Sequence, residues 1–241
     1  MKKFSVLAFV IILLLSGIPT GCLGAKVEGS GRLIEKSFDF SDFTDIQVQN
    51  GFKVELVKSD AFNVEVTVDD NVLEHIEVTE SGGTLRIRAK TNRQFRSATL
   101  EARVTMPEVH NLELSGGSRT SIGGFESLHD LDIKLSGGSH VSASGDISMG
   151  DIDFNLSGGS HVTLSGEAKD IKIDGSGGSH INLDNLNANN ADINLSGGSH
   201  ATIDARGTLN VDINGGSRVT YTGNPKKGDI DVAWDSDLVE K

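Results

Sequence analysis

Ser136-Gly137-Gly138-Ser139-His140 recurs without change at Ser157 to His161, Ser176 to His180 and Ser196 to His200. Ser115-Gly116-Gly117-Ser118-Arg119 precedes these copies and Asn214-Gly215-Gly216-Ser217-Arg218 follows them, each with Arg in the His place. Successive Gly-Gly pairs stand 21, 21, 19, 20 and 18 residues apart. A near-constant period of this kind specifies a stack of structural units, none of which buries its apolar face alone.

Each unit has the form apolar-x-apolar, Ser-Gly-Gly-Ser, His or Arg, apolar-x-apolar, then a short variable return. In the third unit the apolar pairs are Phe154 with Leu156 and Val162 with Leu164. Period-two alternation buries one side of each strand, and the glycines turn the chain so that the second strand opens a new face. The return is weaker, marked by Leu128 and Leu131, Ile147, Leu186 and Leu209. A unit of 18–21 residues with three short strands and no helical pattern is the size of one coil of a parallel β-helix. Six coils at the ordinary inter-strand spacing of about 4.8 Å give a rod of roughly 29 Å. The Leu-x-x-Leu-x-Leu-x-x-Asn pattern of leucine-rich repeats is missing, and calcium-binding nonapeptides have the wrong period. With 29 Gly, one Trp and one Tyr, the chain must build its core from Val, Ile and Leu.

Asp45-Ile46-Gln47-Val48-Gln49-Asn50-Gly51-Phe52-Lys53-Val54 aligns without a gap on Asp132 to Val141. Asn-Gly tolerates the positive φ angles that Gly-Gly supplies, so this segment reads as a divergent early coil with Lys53 in the His column. Between Leu56 and Leu112 the period lapses. Alternating runs at Val64 to Val68, Ile76 to Val78, Leu85 to Ile87 and Leu100 to Val104 predict three or four antiparallel strands, with Ser81-Gly82-Gly83-Thr84 as a hairpin turn. This section reads as a cap on the stack or as irregular coils, with Asn92 to Ser97 a basic loop. Asn224-Pro225-Lys226-Lys227 blunts the far edge, Asp229 to Trp234 forms a last strand, and the charged tail to Lys241 frays.

The beginning of the chain carries an address. Met1-Lys2-Lys3 and the apolar run Phe4 to Leu15 form an export signal too short to favour a spanning helix. Cys22, the one cysteine, follows Ile18-Pro19-Thr20-Gly21 and resembles the lipidated first residue of a mature lipoprotein. Pro19 departs from the Leu usual three places before such a cysteine. Cleavage without lipid and an uncleaved anchor are the alternatives, and all three leave the remaining chain outside the membrane. The predicted organisation is signal peptide 1–21, lipidated Cys22 and a Gly-rich tether over 22–32, an N-terminal β section over 33–108, regular coils over 109–222, and a strand and tail over 223–241.

Formal net charge is −12, and −14 once residues 1–21, with Lys2 and Lys3 and no acid, are removed. That balance argues against nucleic acid and against electrostatic attachment to anionic lipid. Alternation turns His140, His161, His180 and His200 outward in one column, with Arg119 and Arg218 at its ends. The four His are candidate transition-metal ligands, but a flat ladder supplies neighbours along one line where zinc wants a tetrahedron. Neutral stacked imidazoles are the structural alternative. The Ser-Gly-Gly-Ser corner reads as a turn with its hydroxyls bonded to turn amides; a nucleophilic Ser would need a base, and a dozen equivalent serines show no distinct one. Further outward rows run Asn111, Asp132, Asp153, Lys172, Asp192, Asn210 and Glu113, Lys134, Asn155, Asp174, Asn194, Asp212. Paired carboxylates serve glycoside cleavage or calcium ligation, yet no pair stands apart and no exposed aromatic platform accompanies them.

Phe43-Thr44-Asp45-Ile46-Gln47-Val48, the run Val54-Glu55-Leu56, Gly83-Thr84-Leu85-Arg86-Ile87 and the repeated Leu-Ser-Gly-Gly-Ser together resemble the head GIN domain, over roughly Phe43 to Val219. The resemblance implies a right-handed parallel β-helix, and with the repeats and alternating runs read above the expectation is an all-β fold of six to seven coils with an irregular antiparallel N-terminal section. The resemblance also implies an adhesin-like role at the cell surface and supplies no catalytic residues. The expectation is therefore a membrane-anchored binding or structural protein, not an enzyme and without a cofactor, that meets a protein or an envelope polymer. An enzyme acting on envelope polysaccharide and a metal-binding surface protein using the His ladder are the alternatives.

Overall fold

The computed structural model describes residues 25–90 and 93–241, and apart from one 3-10 turn at Leu73–His75 its regular elements are all β-strands. The predicted export signal and Cys22 lie outside the described residues. The strands wind as a parallel β-helix in which each Gly-Gly corner joins two long sheets.

The first sheet, leading into the corners, stacks Thr84–Ala89, Asp45–Gln49, Asn111–Ser115, Leu131–Leu135 and Ile152–Leu156, every neighbour parallel. It continues through the ends of the long strands His161–Gly175 and His180–Leu195, then Thr208–Ile213 and Lys226–Val232. The second sheet, leaving the corners, runs Leu100–Met106, Lys53–Lys58, Arg119–Gly123 and His140–Ala143. The starts of the same two long strands follow, then His200–Ala205, Arg218–Thr222 and Asp237–Glu240. The return side is shorter: Ile147–Met149 lies beside Gly166 to Ala168, which pairs with Leu186 to Ala188.

The corners are fixed by backbone chemistry. In all six Gly-Gly pairs both residues have positive φ, as they do at Asn50 (64°) and Gly51 (81°). Paired positive φ is the signature of the tight primed turns that glycine and asparagine favour. The first glycine has a second reason to be there. A Cβ on Gly137 would stand 3.2 Å from the Gly116 amide nitrogen, and on Gly158 3.1 Å from that of Gly137, whereas one on Gly138 would meet nothing within 4 Å. Coils this close need a bare backbone at the corner. The second Ser of each corner is buried, and its hydroxyl donates to the carbonyl three residues earlier, at 2.8 Å from Ser139 to Ser136 and from Ser160 to Ser157. These hydroxyls thus serve turn carbonyls where the sequence predicts turn amides. Amides reach them only in places, as when Gly51 N–H donates to Ser118 Oγ at 3.2 Å.

Inside, register stacks like on like. Ile46, Leu112, Ile133, Phe154, Ile173, Ile193 and Val211 form one buried column across the first sheet. Val54, Thr120, Val141, Val162, Ile181, Ala201 and Val219 form another beneath the second. Each such aliphatic side chain contributes about 1.5–3 kcal/mol relative to exposure, and no unit gains this without its neighbours.

The N-terminal section is both antiparallel and part of the helix. Asn63–Asp69 runs antiparallel between Leu33–Phe38 and Leu100–Met106, and Ile76–Ser81 forms the expected hairpin with Thr84–Ala89. Yet Thr84–Ala89 and Leu100–Met106 also extend the two parallel sheets by one irregular coil. Buried Asp69 ties the ends of this section together, accepting from Gly31 N–H at 2.6 Å and Thr99 N–H at 2.7 Å.

Other expectations need adjustment. Ala25–Glu28, within the predicted tether, is a strand parallel to Arg93–Arg96, which lies in the predicted basic loop. Leu128 does not mark the return; it is 96% exposed, and Phe125 fills the interior at that level. The tail is not frayed. Asp237–Glu240 pairs with Arg218–Thr222, Tyr221 O–H donates to Glu240 at 2.8 Å, and Lys241 N–H donates to the Tyr221 carbonyl at 3.0 Å. Trp234-Asp235-Ser236 occupies the corner level of this last partial coil, where Ser236 Oγ accepts from Ser217 N–H at 3.2 Å.

Candidate functional site: an outward basic and imidazole column

The residue after each corner begins the second sheet and points outward, because the next residue is in the core. Parallel register then aligns Lys53, Arg119, His140, His161, His180, His200 and Arg218 in one column. All six predicted ladder residues are brought together, and Lys53 joins them as the divergent early coil requires. Acidic residues close the column at both ends. Glu101 lies beside Lys53 with a 3.4 Å ion pair, and Asp237 lies beside Arg218 with one of 2.6 Å.

The four imidazoles are stacked plates. Ring centroids are 4.7, 4.8 and 5.2 Å apart from His140 through His200, with interplanar angles of 1°, 5° and 11°. Parallel rings at this spacing send their nitrogen lone pairs out side by side, whereas two ligands of one tetrahedral ion stand about 3.4 Å apart for bonds near 2.0–2.1 Å. The column is therefore poorly shaped to chelate within itself. The Nδ1 atoms of His140 and His161 are buried without a partner in hydrogen-bonding geometry. Burial, followed by the neighbouring imidazoles His140 and His180, holds the His161 pKa below the ordinary 6.5, with the Gly159 backbone acting weakly the other way. His161 thus resists protonation.

The outward rows of the first sheet form in the predicted register. Asp132, Asp153, Lys172 and Asp192 are neighbours, and burial together with Asp132 raises the Asp153 pKa. Depressions on this sheet, one lined by Asn155, Asp174 and Asn194, are shallow and open, and no convergent acid pair stands out among the described residues. Each corner serine from Ser118 to Ser217 uses its hydroxyl proton on its own turn carbonyl. None of these six has a base positioned to activate it.

One cluster lies outside the predicted set. Glu108, His110 and His129 bring a carboxylate oxygen and two imidazole nitrogens to within 4.8 Å of one another. The available sequence signal is a Glu-x-His step, with His129 one 21-residue coil beyond Glu108.

The family's sequence profile, described as "Putative auto-transporter adhesin, head GIN domain", matches residues 42–225. The chain belongs to the head GIN domain family. The match extends the expected resemblance by a few residues at its C-terminal end. No curated protein matches the chain. Among solved structures, this head GIN protein is similar to a "putative adhesin" from Bacteroides fragilis, with a TM-score of 0.78 at 18% identity over 89% of this chain and 97% of that one. It is also similar to a "putative lipid binding protein" from Parabacteroides distasonis (TM-score 0.72, 19% identity, 90% and 99% covered). A third is a "putative adhesin" from Parabacteroides merdae (TM-score 0.68, 16% identity, 90% and 99% covered). At such identities these likenesses establish the shared fold and nothing finer.

Proposed function

We propose that this head GIN protein is a non-catalytic, adhesin-like binding rod held at the cell surface by lipidated Cys22. Its contact is the outward basic and imidazole column, and its partner is an anionic envelope polymer. The observation that carries this reading is the unbroken run of Lys53, Arg119, four His and Arg218 on a chain of net charge −12. A straight row with a repeat near 4.8 Å suits an extended chain of negative groups better than a compact substrate. Membership in an adhesin-described family supports the same class, and the shallow first-sheet depressions offer an enzyme no enclosed site.

Anchoring and binding are tested separately. Mass spectrometry of the native protein is expected to find a lipid-modified Cys22 at the start of the mature chain; an unmodified Cys22 on a chain free of the membrane removes the lipid anchor. Purified anionic envelope polysaccharide is expected to bind at low ionic strength and to bind less tightly as salt is raised, as contacts carried by cationic side chains do. Replacing Arg119, Arg218 and the four His together by Gln should abolish that binding. Unchanged affinity in this variant overturns the proposed contact, and turnover of the polysaccharide overturns the non-catalytic assignment.

A further inference from the structure

The geometry points to a transition-metal site, of the kind that takes Zn²⁺, formed by Glu108, His110 and His129 at the junction between the irregular N-terminal section and the regular coils. His110 Nε2 and His129 Nε2 lie 3.5 and 3.7 Å from the same oxygen, Glu108 Oε2. These separations are long for hydrogen bonds. They are close to the edges, about 3.4 Å, of a tetrahedron of ligands around zinc. Buried polar atoms nearly always have partners, yet His110 Nε2 is buried and has none. An ion bound by all three groups would satisfy it.

The contrast with the ladder is informative, because the same side chain is used in two ways. Ladder rings are parallel, whereas the His110 and His129 rings are tilted by 51° with centroids 4.9 Å apart, so that both Nε2 atoms approach one carboxylate. Two imidazoles and one carboxylate with an open fourth position form a donor set suited to Zn²⁺ and neighbouring divalent metals, and unsuited to calcium.

The backbone holds these donors in place without a metal. His110 N–H donates to the Thr44 carbonyl at 2.9 Å, and its carbonyl accepts from Asp132 N–H at 2.8 Å. His129 sits in an exposed excursion pinned at several points: its N–H donates to Ser127 Oγ at 3.1 Å, its carbonyl accepts from Gly150 N–H at 3.0 Å, and Asp130 Oδ1 accepts from Asp151 N–H at 2.8 Å. Gly150 permits this approach, since a Cβ there would meet the Leu128 carbonyl oxygen and Asp130 Oδ1 at 2.6 Å. Glu108 and His110 enter the first regular coil and His129 enters the next. A bound ion would therefore clip two successive coils where the irregular section ends.

The test is calorimetric titration of the metal-stripped protein with Zn²⁺ at pH 7.5, beside a variant with the four ladder His changed to Gln. One zinc per chain is expected in both. His129→Gln, at an exposed position whose loss leaves the core intact, should abolish that site. Glu108→Gln, which keeps the shape but removes the anionic donor, should weaken it by at least the about 10–100-fold that loss of a supporting residue costs. Zinc at a hundred times its Kd should raise Tm by about 5–10 °C in the parent and leave His129→Gln unchanged. Zinc binding that survives in His129→Gln but disappears in the ladder variant overturns the assignment, as does the lack of zinc binding in the parent.

Discussion

Single residues in this fold are judged by the coil above and the coil below. Thr120 is the one polar member of the buried column running from Val54 to Val219, and its hydroxyl has no hydrogen-bond partner. A buried, unpaired hydroxyl costs free energy that an isosteric methyl does not. Thr120→Val should therefore raise stability by about 1 kcal/mol, read as a higher urea midpoint with an unchanged slope. Glycines at the corners divide the same way. Gly137 serves both a left-handed backbone (φ 63°) and the close approach of Gly116, while Gly138 serves the backbone alone.

Among the strands, identical positions add up to ladders whose properties none of the residues has alone. His161 lies between two imidazoles, and burial followed by those neighbours lowers its pKa. The unfolded chain then takes up the proton at a higher pH than the folded one does, so this contribution to stability is complete above about pH 6.5 and is lost as pH falls through the lowered value. Urea midpoints measured between pH 7.5 and pH 5.5 should fall on acidification, and His161→Gln should make that fall shallower. A slope that His161→Gln leaves unaltered would exclude a linkage through this residue. Ion pairs along the outer rows, such as Lys172 with Asp174 at 3.8 Å, are exposed and contribute little by comparison.

A parallel β-helix leaves strand edges at its ends, and the molecule treats the two differently. At the N-terminal end, antiparallel Asn63–Asp69 and the hairpin Ile76–Ser81 lie against the first coil. At the other, Lys226–Val232 and Asp237–Glu240 form a partial coil with a largely polar outer surface, fastened by the Arg218–Asp237 pair and by Lys241 Nζ, 2.7 Å from Asp184 Oδ2. Terminal units with polar faces keep such stacks soluble. Removing residues 226–241 should expose Thr208–Ile213 and Arg218–Thr222 as bare edges and cause association, detectable by light scattering during size-exclusion chromatography. A truncated chain that remains monomeric would show that this coil is not a cap.

Most of what repeats locally is legible in the residues alone, apart from the partners of the corner hydroxyls. Positive φ at Gly-Gly, the in-and-out alternation on either side of it and the near-constant period together dictate the corner, the aliphatic columns and the outward His and Arg row. Even Asn50-Gly51 was legible, since asparagine supports the same backbone. What the period does not specify is how each return travels, and there the tertiary structure decided. It folded Thr84–Ala89 and Leu100–Met106 back into the parallel sheets and set Trp234-Asp235 at a corner level that carries no glycine. It also tilted the His110 and His129 rings toward Glu108, which the 21-residue offset between Glu108 and His129 does not by itself require. Local backbone preference acts over a few residues and leaves a record in the sequence; convergence across coils depends on the whole path of the chain.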